Sequence, residues 1–283
     1  MRRRWQTALM AALVVLATMT VPRASSAALT AAPVDTRAMW LWGTDPVPEV
    51  IDWATQRNIS EIFVYVSPTV LTDGSLARLQ DLQEQTGAQK IKLRALSGDP
   101  EWVNNHAEAL AWQQKVVSTG IFDGIHLDVE PYLTTGWTTD LQQTAAAYLE
   151  LLDQVRLAGP LQLEVDVPFW FGQYEVGGDN LADEVLRRVN AVTVMSYRDT
   201  ATGPNSLVEV SQDWLARGAA AGKRVRLAAE TGPLADCGYC TFHDKSASAL
   251  ALELSKVDTA TRQAPAFGGI AVHHYGAWRT LPA

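Results

Sequence analysis

Short apolar runs alternate with longer amphipathic runs along the chain, from residue 37 to the C-terminus. Eight of the apolar runs are rich in β-branched and aromatic residues and are short enough to be buried strands. These predicted strands cover residues 37–44, 61–67, 90–97, 122–130, 161–169, 191–197, 224–231 and 268–275. Apolar positions with helical spacing, together with capping residues, predict helices between them. The predicted helices cover residues 48–58, 100–119, 139–158, 179–189, 206–221 and 244–263.

Strands and helices in this order are typical of a single (β/α)8 TIM barrel. A doubly wound open sheet is the alternative, but no Gly-rich phosphate-binding turn follows the first strand. The chain ends soon after the eighth strand, so we expect the last helix to be short or missing. Because no linker, low-complexity tract or internal repeat separates the elements, residues 28–283 are predicted to form one domain.

Residues 1–27 have the features of a secretory signal peptide. A basic start, MRRRW, is followed by the apolar run AALVVLATMTV, and the small residues at the end of RASSA indicate cleavage after Ala27. No later apolar run approaches the roughly 18–20 residues that cross a bilayer. We therefore expect a secreted protein with no membrane anchor.

The composition is that of an ordinary globular protein, with 283 residues of which 47% are hydrophobic and 19% are charged. Loss of the leader removes four Arg and no acidic residue, which takes the formal net charge from −8 to −12. A surface this acidic repels phosphate groups, so the charge argues against nucleic acid and anionic membranes as partners. We expect a monomer that needs no cofactor or metal.

The two cysteines of the chain, Cys237 and Cys240, are separated by only two residues. In an oxidising compartment this spacing favours a local disulfide. A redox motif would need a helix start and a thioredoxin pattern around the pair, and the sequence has neither. A zinc site built from the two cysteines and His243 would lack a fourth ligand. We therefore predict a disulfide.

The fourth predicted strand carries three ionisable residues at alternating positions. Catalytic residues of this fold lie at the C-terminal ends of the strands. His126, Asp128 and Glu130 share one face of the strand, and the apolar residues between them share the other, which must pack under the helices. Glu130 is nearest the mouth of the barrel, and Asp128 lies one step beneath it. A second carboxylate raises the pKa of the first, so Glu130 is predicted to be a general acid.

These residues resemble a known signature. The run Asp123-Gly124-x-His126-x-Asp128-x-Glu130 is similar to the D-G-x-D-x-D-x-E motif of family 18 glycoside hydrolases, the chitinases and endo-N-acetylglucosaminidases. Strand six contributes Met195-Ser196-Tyr197, similar to the M-x-Y of that family, and strand eight begins with Gly268-Gly269-Ile270, as the last strand of the family often does.

The resemblance implies a role for each matching residue. Glu130 would protonate the glycosidic oxygen, Asp128 would orient a substrate acetamide that acts as the nucleophile, and Tyr197 would hydrogen-bond that acetamide. His126 replaces an Asp of the signature, and Arg198 follows Tyr197 where the family usually has Asp. The chain is therefore expected to be a remote relative of the family.

Glu230 gives a second way to complete the reaction. It ends strand seven, and many retaining β-glycanases on this fold are similar, with an acid/base Glu at the end of strand four and a nucleophilic Glu at the end of strand seven. A carboxyl separation near ~5.5 Å would be required for retention, and ~6.5–9.5 Å would indicate inversion. The sequence leaves open whether Asp128 or Glu230 is the partner of Glu130.

Polar and aromatic side chains gather at the same strand ends, and we expect them to bind a sugar. Flat aromatic faces stack on the apolar C–H face of a pyranose, and charged groups inside the barrel suit a polar ligand. The residues predicted to contact substrate are Trp42, Arg94, Asp123, His126, Tyr132, Asp166, Trp170, Arg198, His273, Tyr275 and Trp278. Lys92 and Glu164 are predicted to form a structural ion pair.

The sequence as a whole predicts a secreted glycoside hydrolase that cleaves a poly- or oligosaccharide. One alternative is a metal-dependent phosphodiesterase with His126, Asp128, Glu130, His273 and His274 as ligands. Adjacent residues of a strand point to opposite faces, however, so only one of the last two can face inward. The other alternative is a non-catalytic carbohydrate-binding barrel, and the presence of Glu130 argues against it.

Overall fold

Eight parallel strands close into a barrel, in a computed structural model that describes residues 29–283. Each strand pairs with its neighbours in chain order, and the eighth pairs with the first. The strands are β1 (Arg37–Leu41), β2 (Ile59–Tyr65), β3 (Lys92–Ser97), β4 (Gly124–Leu127), β5 (Gln162–Pro168), β6 (Ala191–Met195), β7 (Arg224–Glu230) and β8 (Phe267–His273). The predicted (β/α)8 fold and its eight strands are confirmed, while the predicted leader at residues 1–27 lies outside the described residues.

Helices surround the barrel. They are α1 (Val47–Gln56), α2 (Leu76–Ala88), α3 (His106–Thr119), α4 (Thr135–Thr139), α5 (Leu141–Leu157), α6 (Leu181–Arg188), α7 (Leu207–Val210), α8 (Gln212–Ala221), α9 (Ala247–Thr261) and α10 (Tyr275–Trp278). The last helix is a single turn, as expected. Among residues 29–283, no helix has the length and apolar character that crossing a bilayer requires.

Three helical regions differ from the predicted ones. Helix α2 was not predicted, because its only buried residues are Leu79, Leu82 and Thr86 and the apolar stripe is weak. The segment predicted at 100–119 is a 3-10 turn followed by α3, although Asp99 does cap its start by accepting from the backbone N–H of Glu101. The segment predicted at 206–221 is two helices, α7 and α8.

The strands separate two apolar cores. The larger core fills the space between the strands and the helices. The smaller core lies inside the barrel and is formed by Ala38, Trp40, Phe63, Leu96, Ala228 and Ala271. Side chains alternate along a strand, so β1, β2, β3, β7 and β8 contribute to both cores, and the inward positions form layers from the N-terminal end of the barrel to the mouth.

A buried ion network fills the N-terminal end of the barrel interior. Arg226 contacts both Glu61 and Glu164, and its Nε lies 3.1 Å from Glu164 Oε1. Arg94 Nη2 lies 3.1 Å from Glu61 Oε1. Burial alone would raise the pKa of Glu164, but the neighbouring positive charges, first that of Arg226, lower it. The expected pair of Lys92 with Glu164 is wrong, because Lys92 is 59% exposed and lies 3.9 Å from Glu61 instead.

Candidate active site

Glu130 lies at the mouth of the barrel, just beyond β4. The strand ends at Leu127, and the chain then continues to Glu130 and into a 3-10 turn that carries Tyr132. Glu130 is half-buried, and the Tyr132 hydroxyl donates a hydrogen bond to its Oε1. Burial raises the pKa of Glu130, while the Tyr132 hydrogen bond and the charge of His273 oppose the rise without cancelling it. Glu130 is therefore a carboxyl group that holds its proton to a higher pH than usual.

Two more carboxyl groups lie near Glu130. Burial raises the pKa of Asp128 well above its ordinary value, and the charges of Asp166 and Glu130 raise it further. Burial and the charge of Glu164 likewise raise the pKa of Asp166, which lies on β5. Trp40 donates its indole N–H to Asp166 Oδ2 at 3.4 Å. Asp128 and Asp166, like Glu130, therefore hold their protons to a higher pH than an exposed carboxyl group does.

His126 lies beneath this group, inside the barrel. Its ring is 0% exposed and stacks on Phe63 with 3.7 Å between the ring centroids. Its Nε2 lies 2.9 Å from Asp166 Oδ2, and its Nδ1 lies 3.9 Å from a Glu164 oxygen. Burial lowers the pKa of His126 to about 4, so the ring is neutral near pH 7. Because its ring has no exposed surface, the structure does not bring His126 into contact with a sugar.

Glu230, at the end of β7, is held by three hydrogen-bond donors. Its Oε1 accepts from the backbone N–H groups of Thr231 at 2.8 Å and Gly232 at 2.6 Å. Its Oε2 lies 2.7 Å from His273 Nδ1. The backbone register pairs Glu230 directly with His273 on the neighbouring strand β8. These donors stabilise the negative charge of Glu230 and fix its side chain in one orientation.

His273 connects Glu230 to Trp42. The indole N–H of Trp42 donates to His273 Nε2 at 2.9 Å. Because an indole nitrogen can only donate, Nε2 is the acceptor of the ring and Nδ1 carries the proton that is given to Glu230. Burial lowers the pKa of His273, but the hydrogen bond and charge of Glu230 outweigh it and raise the pKa. The Trp42 donor opposes this rise, since a proton on Nε2 would face another N–H.

Tyr197 lies on the same side of the mouth as His273. The two rings are 6.2 Å apart between centroids, and Tyr197 is half-buried just after β6. Burial, followed by the charge of Glu230, raises the pKa of the Tyr197 hydroxyl well above its ordinary value. The hydroxyl therefore stays protonated and can donate a hydrogen bond to an oxygen or nitrogen in the mouth.

Aromatic rings surround Tyr132 on the other side of the mouth. Trp170 meets the Tyr132 ring edge to face at 5.2 Å, and Tyr174 lies 5.5 Å from Trp170.

A second aromatic pair lies beside His273. The rings of Trp42 and Tyr65 are 6.0 Å apart between centroids, and the Tyr65 side chain is 41% exposed. The sequence did not single out Tyr174 or Tyr65. The signal for Tyr65 was present, because it shares the inward-facing parity of Glu61 and Phe63 on β2.

Four predicted contact residues lie away from the mouth. Asp123 precedes β4 at the opposite end of the barrel, where its carboxylate accepts from the backbone N–H of Leu93 at 2.8 Å. Arg94 belongs to the buried ion network at that same end. Tyr275 and Trp278 lie in α10, outside the barrel wall, and both pack edge to face against Trp53 of α1. We correct these four predictions, because the chain turns these side chains towards other partners.

Arg198 is also turned away from the mouth. Its Nε donates to Asn205 Oδ1 at 2.9 Å, its Nη1 donates to the carbonyl of Tyr197 at 2.7 Å, and that same nitrogen lies 3.7 Å from Cys240 Sγ. The structure joins Cys237 to Cys240 in the loop after β7. Arg198 therefore connects the loops after β6 and β7 and does not extend into the barrel.

The residues of the metal alternative do not form a metal site in the structure. His126 has no exposed surface, and His273 is occupied by Glu230 and Trp42. Across residues 29–283, no group of three or more His, Cys, Asp or Glu side chains has an arrangement that could hold a metal ion. The donor set at the mouth is instead a set of carboxyl groups with Tyr and Trp beside them.

Comparison with known proteins identifies the fold. No family model matches the chain, and no curated protein matches it in sequence. A chitinase from Chromobacterium violaceum is similar in structure, with 14% identity, a TM-score of 0.57 and coverage of 86% of this chain and 96% of that one. The family 113 β-mannanase from Alicyclobacillus acidocaldarius has 12% identity, a TM-score of 0.58 and coverage of 88% of each chain. The Bacillus cereus spore cortex-lytic enzyme SleL has 9% identity, a TM-score of 0.54 and coverage of 86% and 73%.

Proposed function

We propose that this protein is a glycoside hydrolase that cleaves a poly- or oligosaccharide, with Glu130 as the general acid. The observation that carries the proposal is the environment of Glu130, which is half-buried at the mouth, has a raised pKa, and lies close to Asp128. A carboxyl group with a raised pKa holds its proton to a higher pH than usual, and in that form it can protonate a glycosidic oxygen. The chitinase and the β-mannanase that share this fold support the same class of reaction.

Glu230 is the partner that the hydrogen bonds favour. Three N–H donors contact its two carboxylate oxygens and hold the side chain in one orientation, as suits a nucleophile. In this route Glu230 attacks the anomeric carbon while Glu130 protonates the leaving oxygen. Glu130, now ionised, then takes a proton from the water that attacks the glycosyl–Glu230 bond, which frees the sugar and restores both groups.

Asp128 is the second candidate partner, because it lies two residues before Glu130 and its pKa responds to the charge of Glu130. In this route the 2-acetamido group of the substrate attacks the anomeric carbon, Asp128 orients that group, and the Tyr197 hydroxyl hydrogen-bonds it. The two routes differ in what they require of the substrate: only the second needs an acetamide.

Two variants distinguish the routes. If Glu230 is the nucleophile, Glu230→Ala is inactive and added azide restores turnover by forming a glycosyl azide, while Asp128→Asn keeps most of the activity. If the acetamide is the nucleophile, Asp128→Asn loses activity and azide does not rescue Glu230→Ala. Both variants need a folding check by circular dichroism, because Glu230 and Asp128 are both closely packed.

We further propose that residues 1–27 direct export of the protein. N-terminal sequencing of the protein recovered from the culture medium should give a start at or near Ala28. The exported protein is then screened against bacterial, fungal and plant polysaccharides with and without EDTA. Release of reducing sugar that resists EDTA supports the hydrolase, whereas activity lost with EDTA supports a metal enzyme. Binding without release supports a carbohydrate-binding barrel.

A further inference from the structure

A cavity of about 460 Å³ opens at the N-terminal end of the barrel, opposite the mouth. We call it the basal cavity. Residues at the starts of most barrel strands line it, together with residues 30–33. Its charged lining residues are Glu61, Lys92, Arg94, Glu164, Arg224 and Arg226.

The lining of the basal cavity carries more positive than negative charge. The two buried arginines, Arg94 and Arg226, are balanced by Glu61 and Glu164 in the ion network. The charges of Lys92 and Arg224 then remain as an excess of two, in a chain whose formal net charge is −8. Lys92 is 59% exposed, and its nearest carboxylate oxygen is 3.9 Å away, so its ammonium is free to turn towards a bound ion.

Arg94 has one buried N–H group, that of Nε, without a hydrogen-bond acceptor among the described residues. Its Nη2 donates to Glu61, but its Nε lies 3.6 Å from Glu164 Oε2. The side chain is only 6% exposed. Gly124 makes room for it, because a Cβ at that position would lie 2.2 Å from Arg94 Nη1. The guanidinium is thus fixed in place beside the basal cavity.

Arg224 is fixed at the edge of the same cavity. Its Nη1 donates to the carbonyl of Thr30 and, at 3.2 Å, to that of Phe267. These two bonds use one nitrogen and orient the guanidinium without neutralising its charge. A guanidinium held in this way, in a cavity that Lys92 also lines, suits a group with several negatively charged oxygens.

We propose that the basal cavity binds a small doubly charged oxyanion, of the class of sulfate and hydrogen phosphate. Such an ion matches the two excess positive charges, is smaller than the cavity, and can accept a hydrogen bond from the exposed Lys92 ammonium. The site lies at the opposite end of the barrel from Glu130, so it is independent of the hydrolase proposal.

Isothermal titration calorimetry tests this site directly. Sodium sulfate and sodium phosphate are titrated into the full exported protein at pH 7.5, with ionic strength held constant by sodium chloride. We expect one ion per chain. Lys92→Gln should weaken binding about tenfold, because one charge-assisted hydrogen bond is lost, and Lys92→Glu should remove it. Lys92 is well exposed, so both variants are expected to fold.

The matched controls are Lys256→Gln and Lys256→Glu, which make the same charge changes at an exposed position of α9. They should bind sulfate as the wild type does. The proposal is overturned if the wild type gives no 1:1 isotherm, or if the Lys92 and Lys256 variants bind equally well. The second result would mean that only the net charge of the protein matters.

Discussion

The hydrogen bond from Tyr132 to Glu130 has a measurable effect on the pKa of the acid. The hydroxyl of Tyr132 stays protonated, because burial and the charge of Glu130 raise its pKa. The Tyr132 hydroxyl therefore donates its hydrogen bond to Glu130 Oε1, and such a bond stabilises the ionised form of Glu130. Removal of the hydroxyl in Tyr132→Phe must raise the pKa of Glu130 further. A hydrogen bond to a charged group is worth about 1.5–3 kcal/mol, and Glu130 is only half-buried, so the lower value applies. Since 1.36 kcal/mol is one pKa unit, the expected rise is about one unit.

The assay is a pH profile of kcat/KM on the glycan found by the polysaccharide screen. A general acid works only while it is protonated, so its pKa sets the alkaline limb of the profile. In Tyr132→Phe this limb should move to higher pH by about one unit. A carbon-13 titration of the Glu130 carboxyl by NMR measures the same shift without any substrate. Tyr174→Phe is the matched control, because Tyr174 belongs to the same aromatic cluster and its hydroxyl has no hydrogen bond to Glu130.

The direction in which the alkaline limb moves in Tyr132→Phe tests whether the hydroxyl stabilises ionised Glu130. An alkaline limb that stays at the same pH in Tyr132→Phe would show that the hydroxyl does not act on Glu130. A limb that moves to lower pH would show that the hydroxyl stabilises the protonated form, which contradicts the reasoning. An equal shift in Tyr174→Phe would mean that the aromatic cluster as a whole, and not the hydrogen bond, sets the pKa.

Three further predictions concern the buried ion network, the buried His126 ring and the Trp170 side chain at the mouth. Arg226→Met should lower the free energy of unfolding in urea by about 3–5 kcal/mol, because it leaves Glu61 and Glu164 buried without their main partner. The double variant that also carries Glu164→Gln should recover part of this loss. The folded-state pKa of His126 is lowered to about 4 from 6.5, so only the unfolded state binds its proton between these values. Stability should therefore fall by about 2 kcal/mol between pH 7 and pH 5 relative to His126→Phe, and an equal pH dependence in both proteins would contradict this. Trp170→Ala should raise KM about tenfold with kcat little changed, because the Trp170 ring is expected to bind a substrate sugar by stacking on it. A fall in kcat without a change in KM would argue against this binding role.

The fold could be predicted because the outward positions of the barrel strands are buried and apolar, even where the inward positions of the same strands are charged. The helical regions that differ from the prediction do so because of features of their own short segments. The break between α7 and α8 comes at Ser211, whose hydroxyl bonds back to the carbonyl of Leu207 at 2.9 Å, and such local bonds compete with a continuous helix. Helix α2 carries a stripe of few buried residues, so its pattern was too weak to read.

The candidate site was predicted as far as strand parity reaches. Parity turned His126 towards the barrel axis, and the order along the strand placed Glu130 nearest the mouth, but neither predicts how much of a side chain is exposed, and the His126 ring has no exposed surface. Parity also shows that Tyr197 and Arg198 cannot both face inward, and the structure turns Arg198 away. The contact between Glu230 and His273 depends on the register of two neighbouring strands, which a single sequence does not contain.

A single substitution tests whether Glu130 protonates the glycosidic oxygen. Glu130→Gln removes the proton donor and keeps the shape of the side chain, while Glu150→Gln makes the same change at an exposed position of α5, away from the mouth. Both proteins are assayed for kcat on the glycan identified in the screen, and their glycan binding and melting temperature are measured alongside. We expect kcat to fall at least about 100-fold in Glu130→Gln alone, with binding and folding intact. A kcat within a few fold of the wild type would contradict this role of Glu130.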